Sequence, residues 1–204
     1  MSVELKFLSG SPFVWRVWLA LEHKGIAYEA TRLSIKDMKS DAYLALNPRG
    51  RVPVLLHEGR ALYESTAMLD YLEEVFEGPS LWPADPFERF RARRIVLEAS
   101  SELFPQTRRF SRQTIFDLDK TPDEAVVAEA KEAIARELGR LETLEGPVTA
   151  ADFATYPILA FLKRIDERRP GYDAMALVPE RFQARMAAVE ALPYFDRTYP
   201  PHWR

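Results

Sequence analysis

Apolar and polar residues alternate with period two at the start of the chain. Val3, Leu5 and Phe7 are separated by Glu4 and Lys6, the pattern of a half-buried strand. Val14, Val17, Trp18 and Leu21 then recur at i, i+3, i+4 and i+7, which predicts an amphipathic helix. Ser11-Pro12 supplies an N-cap and a first-turn proline, and Gly25 supplies the stop. Tyr28 to Leu33 is a second strand candidate, and Lys36 to Leu46 a short helix stopped by Asn47-Pro48. Pro53 to His57, the turn Glu58-Gly59, and Ala61 to Tyr63 predict a hairpin. Ser65 is expected to cap a helix whose apolar face is Met68, Leu69, Leu72, Val75 and Phe76. The order is βαβ followed by αββα, a small α/β layer.

A proline-dense break follows, from Gly78-Pro79 through Pro83 to Pro86. Beyond it the pattern is helical. Phe87 to about Phe116 predicts one long helix kinked at Pro105, and Pro122 to Leu144 a second, with Val127, Ile134, Leu138 and Leu141 on one face. Thr149-Ala150-Ala151-Asp152 resembles a capping box with Asp in place of Glu or Gln, and its helix is expected to run past Pro157 to about Ile165. Pro179 to Leu192 predicts a further helix, and the tail from Tyr199 to Arg204 a non-helical end. The expected division is residues 1–80, a linker over 81–86, and a helical domain over 87–204.

Composition narrows the chemistry. A chain of 204 residues holds one or two domains, and its 47% apolar and 29% charged residues suit a globular protein in water. The net charge of −3 gives no reason to expect nucleic acid as a partner. There is no cysteine, which excludes disulfides, thiol nucleophiles, CxxC redox motifs and cysteine-ligated zinc. His23, His57 and His202 are far apart, so no histidine metal site is expected, and no G-x-S-x-G is present. Neither a secretory leader nor a membrane-spanning run is visible, so a cytoplasmic protein is expected.

Three places could carry chemistry. Ser11 opens a helix, where unpaired N–H groups and the helix dipole favour negative charge; read alone, it is equally an ordinary N-cap. Pro53 has no N–H to give a sheet ladder, so it belongs at a strand's first residue or on an edge. Glu64-Ser65 opens another helix, a setting that suits a carboxylate. Together, the last two suggest a place for an extended, carboxylate-bearing peptide.

Strand, helix, strand, helix, hairpin, helix is the order of the thioredoxin-like fold. Three stretches stand in order along it: Ser11-Pro12-Phe13 with Arg16-Val17, Leu19-Ala20-Leu21 and Lys24-Gly25; Asn47-Pro48-Arg49-Gly50-Arg51-Val52-Pro53-Val54-Leu55; and Glu64-Ser65-Thr66-Ala67. Together they resemble the N-terminal domain of cytosolic glutathione transferases. Serine before Pro-Phe is most similar to the serine-type classes, tau or zeta, rather than the cysteine-type omega and beta classes. The resemblance implies a thioredoxin-like N-terminal domain and an all-α C-terminal domain. It implies a homodimer with glutathione as co-substrate and no metal, acting in detoxification on a small hydrophobic electrophile.

Residue by residue, the resemblance implies that Ser11 donates to the glutathione sulfur, as the catalytic group. Val52-Pro53 would be a cis peptide whose Val52 backbone pairs with the cysteinyl residue as an added strand. Glu64 and Ser65 would hold the γ-glutamyl end, Lys39 and Arg51 would meet the glycyl carboxylate, and Phe13 would line the glutathione site. Phe13, Trp15, Phe104, Arg108 and Phe110 are candidate walls of the acceptor pocket, and each reads equally as a core or interface residue. Conjugation, isomerisation, ether cleavage and peroxide reduction all fit one glutathione site. The rival reading is a non-catalytic binding or regulatory protein of the same fold.

Overall fold

The structure, a computed structural model, describes residues 2–116 and 120–203; Arg204 of the tail lies outside them. The alternating pattern becomes strand β1 (Val3–Phe7), which buries Val3, Leu5 and Phe7 and leaves Glu4 and Lys6 half-buried. The chain turns through Gly10, whose φ of +84° lies in the region that favours glycine, into helix α1 (Pro12–Lys24). Ser11 is the N-cap, with extended φ −73° and ψ 124°, and its Oγ accepts from the Val14 N–H. Gly25 closes the helix in the left-handed conformation at φ +67°.

Strand β2 (Glu29–Arg32) lies parallel to β1, with Leu5 opposite Ala30. The single helix expected over Lys36–Leu46 is two pieces, a 3-10 turn at Asp37–Lys39 and helix α2 (Asp41–Leu46). Ser40 divides them: it is extended, and its side chain caps Tyr43 N–H, the local bonding by which serine starts helices rather than continuing them. Strands β3 (Val54–His57) and β4 (Arg60–Leu62) complete a sheet of order β2-β1-β3-β4. β1 pairs antiparallel with β3, Leu5 opposite Leu55, and β3 antiparallel with β4, Leu55 opposite Leu62.

Helix α3 (Ser65–Val75) starts one residue earlier than expected, because Glu64, not Ser65, is its N-cap. Its buried face is Met68, Leu69 and Leu72; Val75 is 42% exposed, and the helix stops there because Phe76 is extended. α1 and α3 pack on one another, tied by Lys24 Nζ to Glu73 Oε2 at 3.1 Å and Arg16 Nη1 to Thr66 Oγ1 at 3.5 Å.

The chain forms two compact units, one of residues up to Trp82 together with the segment from Pro193, the other of Pro83–Leu192. In the second, Asp85 caps helix α4 (Pro86–Glu98), a π turn occupies Ala99–Leu103, and helix α5 (Phe104–Thr114) follows. The expected kink at Pro105 is met by this π turn. It lies over the preceding residues, whose carbonyl the proline ring would strike in a regular α-helix. Asp123 caps helix α6 (Glu124–Arg140), which buries Val127, Ile134 and Leu138. Helix α7 (Ala150–Arg168) is buried nearly all round through its first three turns and passes through Pro157. Its capping box is complete: Thr149 N–H donates to Asp152 at 2.8 Å. Asp152 also receives two 2.7 Å bonds from Arg185 of helix α8 (Glu180–Glu190). Among the described residues no helix is long and apolar enough to cross a membrane.

The end of the chain departs from expectation. It follows the helical part in sequence, yet it packs in the first unit, through helix α9 (Phe195–Thr198) and a 3-10 turn at Pro201–Trp203. Four side-chain ties lay it along α1 in the opposite direction. Tyr194 Oη meets His23 Nδ1 at 2.6 Å and Arg197 meets Glu22 at 2.7 Å. Trp15 Nε1 donates to Thr198 Oγ1 at 2.9 Å, and His202 Nδ1 lies 2.8 Å from Ser9 Oγ. Burial of its aromatic side chains explains the docking: Tyr194, Phe195 and Trp203 are buried, and the Tyr199 and Trp203 rings meet Trp15 edge-on at 5.5 and 5.6 Å.

Candidate functional site

Sheet register gathers the three stretches that the sequence singles out. Lys6 pairs with Val54, and Leu55 with Leu62. The C-terminal end of β1, the N-terminal end of β3 and the C-terminal end of β4 therefore share one edge of the sheet. Ser11 follows the first, Val52-Pro53 precedes the second, and Glu64-Ser65 follows the third. β2 runs parallel to β1, so the segment leading to Lys39 leaves from the same edge, held by Leu33 N–H to Phe7 O at 2.7 Å.

At Ser11 the cap and the chemistry are compatible. Its Oγ accepts from Val14 N–H at 3.4 Å through one lone pair, which leaves the hydroxyl hydrogen able to donate to a group at the helix N-terminus. The Val52–Pro53 peptide is cis. Val52 stands before the first paired residue of β3, so its backbone N–H and C=O lie outside both ladders. The loop that presents it is fixed from behind, since the Arg51 carbonyl accepts from Tyr43 Oη at 2.8 Å and Asn47 Nδ2 at 2.7 Å. Burial pushes the Tyr43 hydroxyl up to about 12, so it stays a neutral donor.

Glu64 has φ 72° and ψ 99°, a backbone region that non-glycine residues seldom occupy and that clusters at functional sites. Its side chain is exposed and lies 3.7 Å from Arg49 Nε, a partner that sequence reasoning did not single out. Ser65 is buried as the first residue of α3. Behind it, Thr66 Oγ1 receives Arg16, a fully buried guanidinium 5.0 Å from the half-buried Phe13 ring, and burial pulls Arg16 down to about 10. The apolar period gave no signal for Arg16, which stands on the side of α1 opposite Val14, Val17 and Leu21 and is buried only because the helix is covered on that side too.

The remaining candidates divide. Lys39 ends the 3-10 turn and is exposed, as is Arg51. Of the suggested pocket walls, Trp15 and Phe110 are core: Trp15 is 2% exposed under the C-terminal segment, and Phe110 is fully buried with Tyr172 edge-on at 5.9 Å. Phe104 is half-buried and Arg108 exposed.

A four-stranded mixed sheet with a cis-proline strand start at the edge where two helices begin defines a thioredoxin-like binding domain, here with a helical unit after it. The family model described as "Glutathione S-transferase, N-terminal domain" matches residues 10–75. A probable glutathione S-transferase from Nicotiana tabacum is 46% identical over 84 residues, covering 41% of this chain and 37% of that protein. One from Oryza sativa subsp. japonica is 37% identical over 153 residues, covering 71% of this chain and 60% of that protein. The matches thus span between about two fifths and three fifths of these relatives' length. The crystal structure of a glutathione S-transferase from the Antarctic clam Laternula elliptica is 27% identical with a TM-score of 0.75, covering 100% of this chain and 94% of that one. A glutathione S-transferase N-terminal domain is thus matched over residues 10–75, and the fold of the chain is that of the solved glutathione S-transferase.

Proposed function

We propose that the protein is a glutathione transferase that binds glutathione along the edge formed by Ser11, Val52-Pro53 and Glu64-Ser65. One observation carries the reading: the sheet register brings a hydroxyl at a helix start, an unpaired strand backbone and a second helix start to one edge. These are the three kinds of group that a tripeptide with a thiol at its middle requires. Val52 extends the sheet by pairing with the cysteinyl residue. Ser65 at the start of α3 takes the γ-glutamyl carboxylate, and Glu64 takes the ammonium. Phe13 lines the site, and the exposed Lys39 and Arg51 meet the glycyl carboxylate.

Ser11 then donates to the sulfur and, with the dipole of α1, favours the thiolate over the thiol. The thiolate attacks an electrophilic carbon of a hydrophobic acceptor. A carbon–sulfur bond forms, the bond to the leaving group breaks, and the leaving group departs with the electron pair. A cytoplasmic homodimer is part of the same reading. Phe87, Phe90 and Leu97 of α4 support the dimer, being exposed by 67%, 57% and 57% with the two phenylalanine rings stacked at 6.1 Å. The test is retention on immobilised glutathione with release by the free tripeptide, followed by turnover of an aryl halide. Absence of retention would overturn the reading.

A further inference from the structure

The C-terminal segment ends on the turn that carries Ser11. Its last contacts are with the two residues that precede Ser11, and they differ from the ties further along α1. Ser9 Oγ and His202 Nδ1 are 2.8 Å apart. A Cβ built on Gly10 would lie 3.0 Å from His202 Cε1, 3.1 Å from His202 Nε2 and 3.4 Å from Trp203 Nε1. The two side chains thus fill the space that only a glycine leaves open. Gly10 is also a joint between β1 and α1, held at φ +84°, a conformation that residues with a side chain rarely adopt. The gap between this turn, Trp15, Trp18 and the tail residues Thr198 and Pro200 holds about 10 Å³, barely the space of one water. The tail is therefore packed against the turn without an intervening solvent layer.

We propose that His202 and Trp203 are positioning residues for Ser11. They hold the Ser9–Gly10–Ser11 turn in the one orientation that presents the hydroxyl at the N-terminus of α1. The inference rests on the thiol-activating role proposed for Ser11. A hydrogen bond to an anion falls steeply with distance and angle, so a small rotation at Gly10 removes the stabilisation without removing any group that grips the tripeptide's ends. The consequence is separable: thiolate formation depends on the tail, whereas glutathione affinity depends on the edges of β3 and α3.

The experiment compares wild type with His202→Ala, Ser9→Ala, the double variant and Ser11→Ala. Bound glutathione is titrated by the ultraviolet absorbance of its thiolate, affinity is measured by calorimetry, and turnover is followed with an aryl halide. His202 is exposed, so His202→Ala is expected to fold. His202→Ala and Ser9→Ala should each move the thiol titration upward and lower kcat at neutral pH about tenfold, with the dissociation constant changed by less than about twofold. The double variant should be no worse than His202→Ala alone, because that change already removes the contact with Ser9. If His202→Ala keeps the wild-type titration and kcat, even with a lowered melting temperature, the tail is only structural and the proposal fails alone. If Ser11→Ala also keeps the wild-type titration, the thiol-activating role fails and takes the proposal with it.

Discussion

Replacing Ser11 by alanine removes one oxygen from the molecule, and the structure says what else stays. Pro12 still occupies the first turn of α1 and Gly10 still makes the entry, so the helix start keeps its dipole. The lost cap bond is long, at 3.4 Å, and costs about 0.5–1 kcal/mol of stability. The effect on chemistry is larger. A hydrogen bond to a charged group contributes about 1.5–3 kcal/mol. Since about 1.4 kcal/mol corresponds to one pKa unit, the hydroxyl lowers a bound thiol by about one to two units from its free value near 8.5. Ser11→Ala should therefore move the acid limb of the pH–kcat/KM profile upward by about one to two units. At about pH 6.5 the rate with an aryl halide should fall about ten- to hundredfold, and at about pH 9.5 the two proteins should converge. Calorimetry should find glutathione affinity changed much less than the rate. A variant whose profile superimposes on wild type would refute the reasoning, since the long cap bond alone predicts no change in the profile.

Glu64→Ala combined with Ser65→Ala should raise the dissociation constant for glutathione at least about tenfold, through loss of charge-assisted contacts to the γ-glutamyl end; an unaltered constant in calorimetry would remove that assignment. Asp152→Ala leaves Arg185 without its two 2.7 Å bonds and Thr149 N–H without its acceptor, so denaturant unfolding should show a loss of about 3–5 kcal/mol. A loss below about 1 kcal/mol would mean that water replaces the carboxylate. His23, which ties the tail through Tyr194, is pulled below the ordinary histidine value first by burial, with the Ser80 carbonyl opposing and Lys24 adding. Because its folded pKa lies below its unfolded one, the unfolded chain takes up the proton first. Stability is then fully present above about pH 6.5 and declines as pH falls toward the folded value. Urea midpoints between about pH 7 and 5 should fall more for wild type than for His23→Gln, and equal slopes would exclude His23 as the source.

Much of the fold was legible because its signals are local. The period-two run of β1, the Ser11-Pro12 entry and Gly25 exit of α1, and the Thr149–Asp152 box each fall within a single turn or strand, where backbone geometry and one side chain decide the outcome. Misreadings came where two local signals compete. Lys36 to Leu46 reads as one helix by composition, but Ser40 has a capping acceptor as well as helical neighbours, and the cap prevails. At the start of α3 serine is the better cap by type, yet Glu64 takes that place in a left-handed conformation that no pattern of apolar residues signals. Trp15 was open between core and pocket wall, because an aromatic beside Ser11 suits either. The covering segment lies 183 residues away, at Thr198.

The amino-acid sequence by itself determined the elements, their caps and breaks, and the residue types able to handle a thiol and a carboxylate. Those follow from backbone sterics and short-range hydrogen bonding, which act over a few residues. Only the tertiary structure decided that three separated stretches share one sheet edge, because register is set by pairing between strands some fifty residues apart. It also decided that the tail returns along α1 to the turn bearing Ser11. That return is driven by burial of aromatic surface, which depends on the face α1 presents and has no counterpart in the tail's own pattern.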